Sequence, residues 1–148
     1  MVAFFDLDLK QIARLGRDYP WPQPSSCPQC GRPKPWGHGF VTMFFSHFAH
    51  ALLFRRYRCP ACGGVIRLRP TGHLPRHQSE TATIRNTLSF RLQHGRWPPG
   101  TVTNRARHWL AALKRNAFAA FGLSGRSDPM DAFDRLLALG RVPVSRAV

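Results

Sequence analysis

The chain has 148 residues, 43% of them hydrophobic, enough for one packed domain or two small ones and too apolar for wholesale disorder. Its 22 basic and 7 acidic residues give a net charge of +15, and sixteen of the basic residues lie between Tyr19 and Arg126 with Glu80 the single acid among them. The longest apolar stretch, Phe40 to Phe54, contains His47 and His50 and falls short of the ~20 residues a membrane helix needs. MVAFFDLDLK lacks a basic leader region and is broken by Asp6 and Asp8. No membrane partner is expected; a cytoplasmic, nucleoid-associated protein is.

Residues 1–24 read as an N-terminal helix over 1–18, with Phe4, Phe5, Ile12 and Leu15 roughly on one side, and a proline-rich linker, Tyr19-Pro-Trp-Pro-Gln-Pro. Residues 25–70 hold all four cysteines. Within them Phe40–His47 and Ala51–Arg58 should pair as a hairpin, and Val65–Leu68 should add a third short strand. Residues 71–125 turn helical. Ser79 is the candidate N-cap of a first helix carrying Ile84, Leu88 and Leu92, and Gly95 its stop. Thr101 or Thr103 should cap a second helix reaching Phe121. On it Val102, Ala106, Trp109, Leu110, Leu113, Ala117 and Phe121 share an arc of about 120°, and Arg105, Arg107, His108, Lys114 and Arg115 lie outside it. Residues 126–148 read as a C-terminal helix from Asp128 to Leu139 and a tail, with Asp128 capping and Met130, Phe133 and Leu137 in a stripe. The fold class expected is small α+β: short antiparallel strands around a four-cysteine zinc ribbon, then a helix-turn-helix-like region.

The cysteines form two pairs, Cys27-Pro-Gln-Cys30 and Cys59-Pro-Ala-Cys62, each followed by glycine. Two residues between thiolates let one tight turn present both sulfurs to one ion, and a following glycine allows the chain to reverse. Two such turns complete a tetrahedral site with no open position, so one structural Zn²⁺ on Cys27, Cys30, Cys59 and Cys62 is expected. Two disulfides would need an oxidising compartment, and a redox pair would need one CxxC beside a βαβ unit. An iron–sulfur centre also accepts four thiolates.

The stretch Cys27-Pro-Gln-Cys-Gly31, with Arg56-Tyr-Arg-Cys-Pro-Ala-Cys-Gly63, resembles the N-terminal zinc ribbon of bacterial insertion-sequence transposases and their accessory proteins. The resemblance covers roughly residues 25–70. It implies a role at mobile-element DNA, ligand roles for the four cysteines, and a basic DNA-facing strand through Arg55, Arg56 and Arg58. Val65-Ile66 departs from the aromatic usual after the second knuckle. The acidic nuclease triad of those transposases is absent, because Asp6, Asp8 and Asp18 precede the ribbon and Asp128, Asp131 and Asp134 crowd one helix. A recombinase or transposase is the protein partner this implies.

The charge distribution predicts a polyphosphate ligand, since one-signed fields concentrate such partners and speed their association. The residues expected to contact nucleic acid are Arg55, Arg56, Arg58, Arg67, Arg69, Arg96, Asn104, Arg105, Arg107, His108, Lys114 and Arg115, with DNA favoured over RNA. An RNA- or ribosome-associated ribbon and a protein-interaction adaptor are the alternatives. His47 and His50 are expected as partly buried, hydrogen-bonded residues rather than ligands, and His73, His77 and His94 as part of the basic face. Trp97 should pack on the adjacent helices or stack on a base, and Trp109 should be core. No phosphate loop, nucleophile elbow or HExxH occurs, and the chain reads as a binding protein rather than an enzyme.

Overall fold

The computed structural model describes residues 1–123 and 128–145. The chain divides into two compact units, Met1–Ser79 and Glu80–Val148. Their described residues hold a four-stranded sheet and four α-helices, a small α+β architecture. Among the described residues no helix is long and apolar enough to cross a membrane. The boundary expected at 125/126 lies outside the described residues.

The first unit is built on a sheet of strands β1 (Val2–Phe5), β2 (Trp36–Met43), β3 (Leu52–Arg58) and β4 (Val65–Pro70), in the order β1-β4-β3-β2. The expected hairpin is present, but its first strand starts at Trp36 rather than Phe40 and ends at Met43. A bulge between Gly37 and Phe40 carries the strand past His38 and Gly39, which sequence alternation does not reveal. The expected N-terminal helix is corrected. Val2–Phe5 is a strand, parallel to β4 with Val2 opposite Arg67 and Phe5 opposite Pro70. Helix α1 starts only at Leu9 and ends at Leu15, because Asp8 Oδ1 accepts the Lys10 and Gln11 N–H groups and stops the strand there.

The proline-rich segment is anchored to the sheet. Trp21 packs against Tyr19, Phe40 and Phe54 at centroid distances of 4.9, 6.0 and 5.6 Å, and its Nε1–H donates to Arg17 C=O. Phe54, Ile66, Leu68 and Ile12 are buried in a core that also takes in Leu7, Phe45, Tyr57 and the cysteines Cys27 and Cys59. Two of the four cysteines therefore belong to the hydrophobic core itself.

The second unit packs α2 (Thr81–His94), α3 (Thr103–Phe121) and α4 (Pro129–Ala138). Gly95 takes the left-handed conformation, φ 69°, and stops α2 as expected. Ser79 is not its cap. Glu80 holds that place without a side-chain bond, and Ser79 is buried with its Oγ 2.8 Å from Ser46 Oγ. Val102, not a threonine, precedes α3 and is exposed. Ala106, Trp109, Leu113 and Ala117 are buried as the arc requires, and Ala112 joins them. Asp128 Oδ1 caps α4 through the Met130 and Asp131 N–H groups, and Ala132, Phe133 and Leu136 are its buried residues, with Met130 and Leu137 half-buried.

Candidate metal centre and basic surface

Each CxxC forms the same turn. Gly31 N–H donates to Cys27 C=O at 2.9 Å and Gly63 N–H to Cys59 C=O at 3.0 Å. Both glycines sit at positive φ, 70° and 69°, where a side chain would be strained. The chain then returns on itself: Cys27 N–H donates to Arg32 C=O and Cys59 N–H to Gly64 C=O. The second turn is held by the β3–β4 pair at Arg58–Val65. The first is held by the Ser26–Pro33 bridge.

These turns bring the four sulfurs within 4.8 Å of one another. Cys27 Sγ lies 3.7 Å from Cys62 Sγ and Cys30 Sγ 3.5 Å from Cys59 Sγ. Four thiolates at about 2.3 Å from a tetrahedral ion stand about 3.8 Å apart, so the donor set fits one ion with little movement. A disulfide would need sulfurs at about 2.05 Å, and all four cysteines are free. Cys27 and Cys59 are buried while Cys30 and Cys62 are exposed. Met1 Sδ lies 3.8 Å from Cys27 Sγ. Gly64 makes room for it, since a Cβ there would fall 2.5 Å from Met1 Cε.

The turns also prepare the thiolates. Backbone N–H groups of Cys62 and then Ala61 hold the Cys59 thiol down to about 6 against the opposing effect of burial. The Cys30 and Gln29 N–H groups lower Cys27 in the same way. At Cys62 the Gly64 N–H pulls down, but burial and hydrogen bonds from the neighbouring thiols outweigh it and push the thiol up to about 11. In the second pair charge thus forms first on the buried Cys59.

The arginines expected at a ligand divide by environment. Arg67 and Arg58 are exposed, the latter with Nε donating to Gly63 C=O at 3.2 Å. Arg55 is half-buried, its guanidinium 5.0 Å from the Phe40 ring centroid. Arg56 is half-buried with its Nε shut from solvent and without a hydrogen-bond partner. Arg69 departs from expectation: it is 7% exposed, its Nε and Nη2 donating to His73 C=O and His77 C=O. It shapes the 73–77 loop from inside. Sequence alternation identifies the strand but not the carbonyls the loop would turn towards it.

In the helical unit Asn104, Arg105, Arg107, His108, Lys114 and Arg115 are all exposed on α3. Arg96 is exposed near the Phe90 ring, and Arg91 lies 5.3 Å from the half-buried Trp97. Arg85 is committed elsewhere, in a two-pronged pair with Asp134 at 2.6 and 2.8 Å. Asp131 pairs with Arg135 at 3.5 Å. The histidines differ from expectation too. His47 and His50 are exposed, and His73 is buried with its ring edge-on to Phe45 at 5.0 Å.

Comparison with protein-family models, with curated proteins and with solved structures finds no match to this chain.

Proposed function

We propose that this chain is a nucleic-acid-binding protein whose first unit is a zinc ribbon, stapled by one structural Zn²⁺ on Cys27, Cys30, Cys59 and Cys62. Zinc suits four cysteine thiolates in a closed tetrahedral shell better than the harder divalent cations do, and such an ion contributes folding energy rather than chemistry.

The observation that carries the ligand assignment is uncompensated charge. Within residues 1–79 no arginine or lysine forms an ion pair; the ion pairs of the described residues, Arg85–Asp134 and Arg135–Asp131, belong to the helical unit. A surface that leaves its guanidiniums without carboxylates suits a phosphate backbone. DNA is favoured over RNA by α3, which buries one side and exposes Asn104, Arg105 and His108 in its first two turns, as a groove-entering helix of a helix-turn-helix-like unit does.

The protein acts as a binding factor. Four of its seven acids serve structure, Asp8 and Asp128 as helix caps and Asp131 and Asp134 in ion pairs, and among the described residues the one cluster of possible metal ligands is the four cysteines, not the carboxylate set of two-metal phosphoryl transfer. The knuckle pattern supports a mobile-element accessory role beside a separate recombinase or transposase at the nucleoid.

The test compares duplexes selected by the protein with scrambled ones at one salt concentration. Arg105→Ala should lower the preference for selected sequence by about 1–3 kcal/mol, while Arg115→Ala should weaken both duplexes alike. Equal losses from Arg105→Ala on both would make α3 a scaffold. Absence of duplex binding by the unaltered protein would reject the reading.

A further inference from the structure

One buried charge in the first unit has no counter-charge. Arg69 is nine-tenths buried, and no acid pairs with it among the described residues. Its Nε and Nη2 serve loop carbonyls. A buried guanidinium without a counter-charge is costly.

Around it the sheet adds more positive charge. Arg56 and Arg67 are direct register partners across β3 and β4, an arrangement that costs stability when like charges face each other. Arg76 sits in the loop that Arg69 holds, at φ 65°, a conformation rare for a residue with a side chain. Arg67, Arg69 and Arg76 all line one open groove of about 670 Å³, and no carboxylate lines it. Its other walls are largely apolar, including Val2, Val41, Met43 and Leu68. The volume is that of a small-ligand cleft, suited to a nucleotide or two and too small for a duplex.

We propose that this groove is a single-strand site, which holds about two nucleotides of nucleic acid by their phosphates. Guanidiniums match phosphate oxygens in two-pronged geometry, and the apolar walls accept sugar and base. No aromatic side chain lines the groove, so binding follows the backbone and tolerates any base sequence. An anion here would also relieve the Arg56–Arg67 repulsion and supply the counter-charge that Arg69 lacks. The inference rests on the nucleic-acid reading above, and adds to it a second site outside α3.

The test uses the zinc-loaded full chain with three probes at one salt concentration: a ten-nucleotide single strand, a duplex of the same sequence, and a phosphorylated dinucleotide. Arg67→Gln and Arg76→Gln, with zinc content unchanged, should each weaken the single strand about tenfold, near the cost of one charge-assisted contact. Both should weaken the duplex clearly less than they weaken the single strand. Arg107→Gln should do the reverse. Unchanged single-strand affinity in both groove variants, or equal losses on strand and duplex, would overturn the groove while nucleic-acid binding stands. The phosphorylated dinucleotide should fill the groove and weaken in both variants as the strand does; dinucleotide binding that neither variant changes would also overturn it. If the unaltered protein bound neither polymer, the functional reading itself would fail.

Discussion

Replacing Cys59 by serine should remove the metal and unfold the first unit while leaving the helices in place. Cys59 is 1% exposed and part of the core cluster, so its loss strikes packing and ligation together. The sulfurs already stand at 3.5–3.7 Å in their closest pairs, near the separation a bound ion needs, so little of the binding energy goes into rearrangement. Structural zinc in small domains contributes about 10–16 kcal/mol at neutral pH, whereas the core of a unit this size supplies about 3–5 kcal/mol. Losing even half of the metal term exceeds what the core can offset. Elemental analysis should fall from one zinc per chain to none. Trp21, packed against Phe54 at 5.6 Å, should show a red-shifted emission. The helical circular dichroism from α2, α3 and α4 should persist, because Ile84, Leu88, Leu113 and Phe133 form a core of their own unit. A Cys59→Ser protein that kept one zinc and a native Trp21 signal would refute the reasoning.

Acid should release the ion. The Cys59 thiol is depressed to about 6, so its thiolate is present above that value and lost as pH falls through it. A bound ion competes with protons for all four sulfurs, so zinc should be held at pH 7.5 and released only below about pH 6, read with a chromophoric chelator; release already at pH 7.5 would contradict it. Asn116 should prove a structural residue of the helical unit, because its amide donates to the carbonyls of Val142, Pro143 and Ser145 at 3.4, 2.8 and 3.0 Å. Asn116→Ala should cost about 1–3 kcal/mol in thermal or denaturant unfolding with DNA affinity per folded molecule unchanged, and a silent substitution would show that the tail is held otherwise. Arg85→Ala should cost at most about 1 kcal/mol despite its short contacts, since both partners are two-fifths or more exposed; a loss of several kcal/mol in a denaturant melt would show a larger role.

The cysteine cluster was legible because its chemistry is local. Cys-x-x-Cys-Gly encodes a turn within five residues, and two copies need only be brought together. The helices were legible for the same reason, with Gly95 and Asp128 marking ends through local backbone geometry. What escaped depends on distant partners. Val2–Phe5 also fits a helical period with Ile12 and Leu15, and only pairing with Arg67–Pro70, more than sixty residues away, makes it a strand. The Asp8 cap was visible in principle, as an Asp ahead of a helix-forming run. Arg69 reads like its neighbour Arg67, and the carbonyls of His73 and His77 that bury it come from a loop without a sequence signature. Arg76 carries no mark at all, because a non-glycine residue at positive φ looks like any other residue in sequence.

The most direct measurement is the affinity of the zinc-loaded protein for duplex DNA across a series of salt concentrations. An arginine surface that displaces counterions from roughly 4–8 phosphates should give a log–log slope of about −4 to −7. Binding that does not change with salt would mean that the +15 charge is not spent on phosphates, and the nucleic-acid assignment would fall.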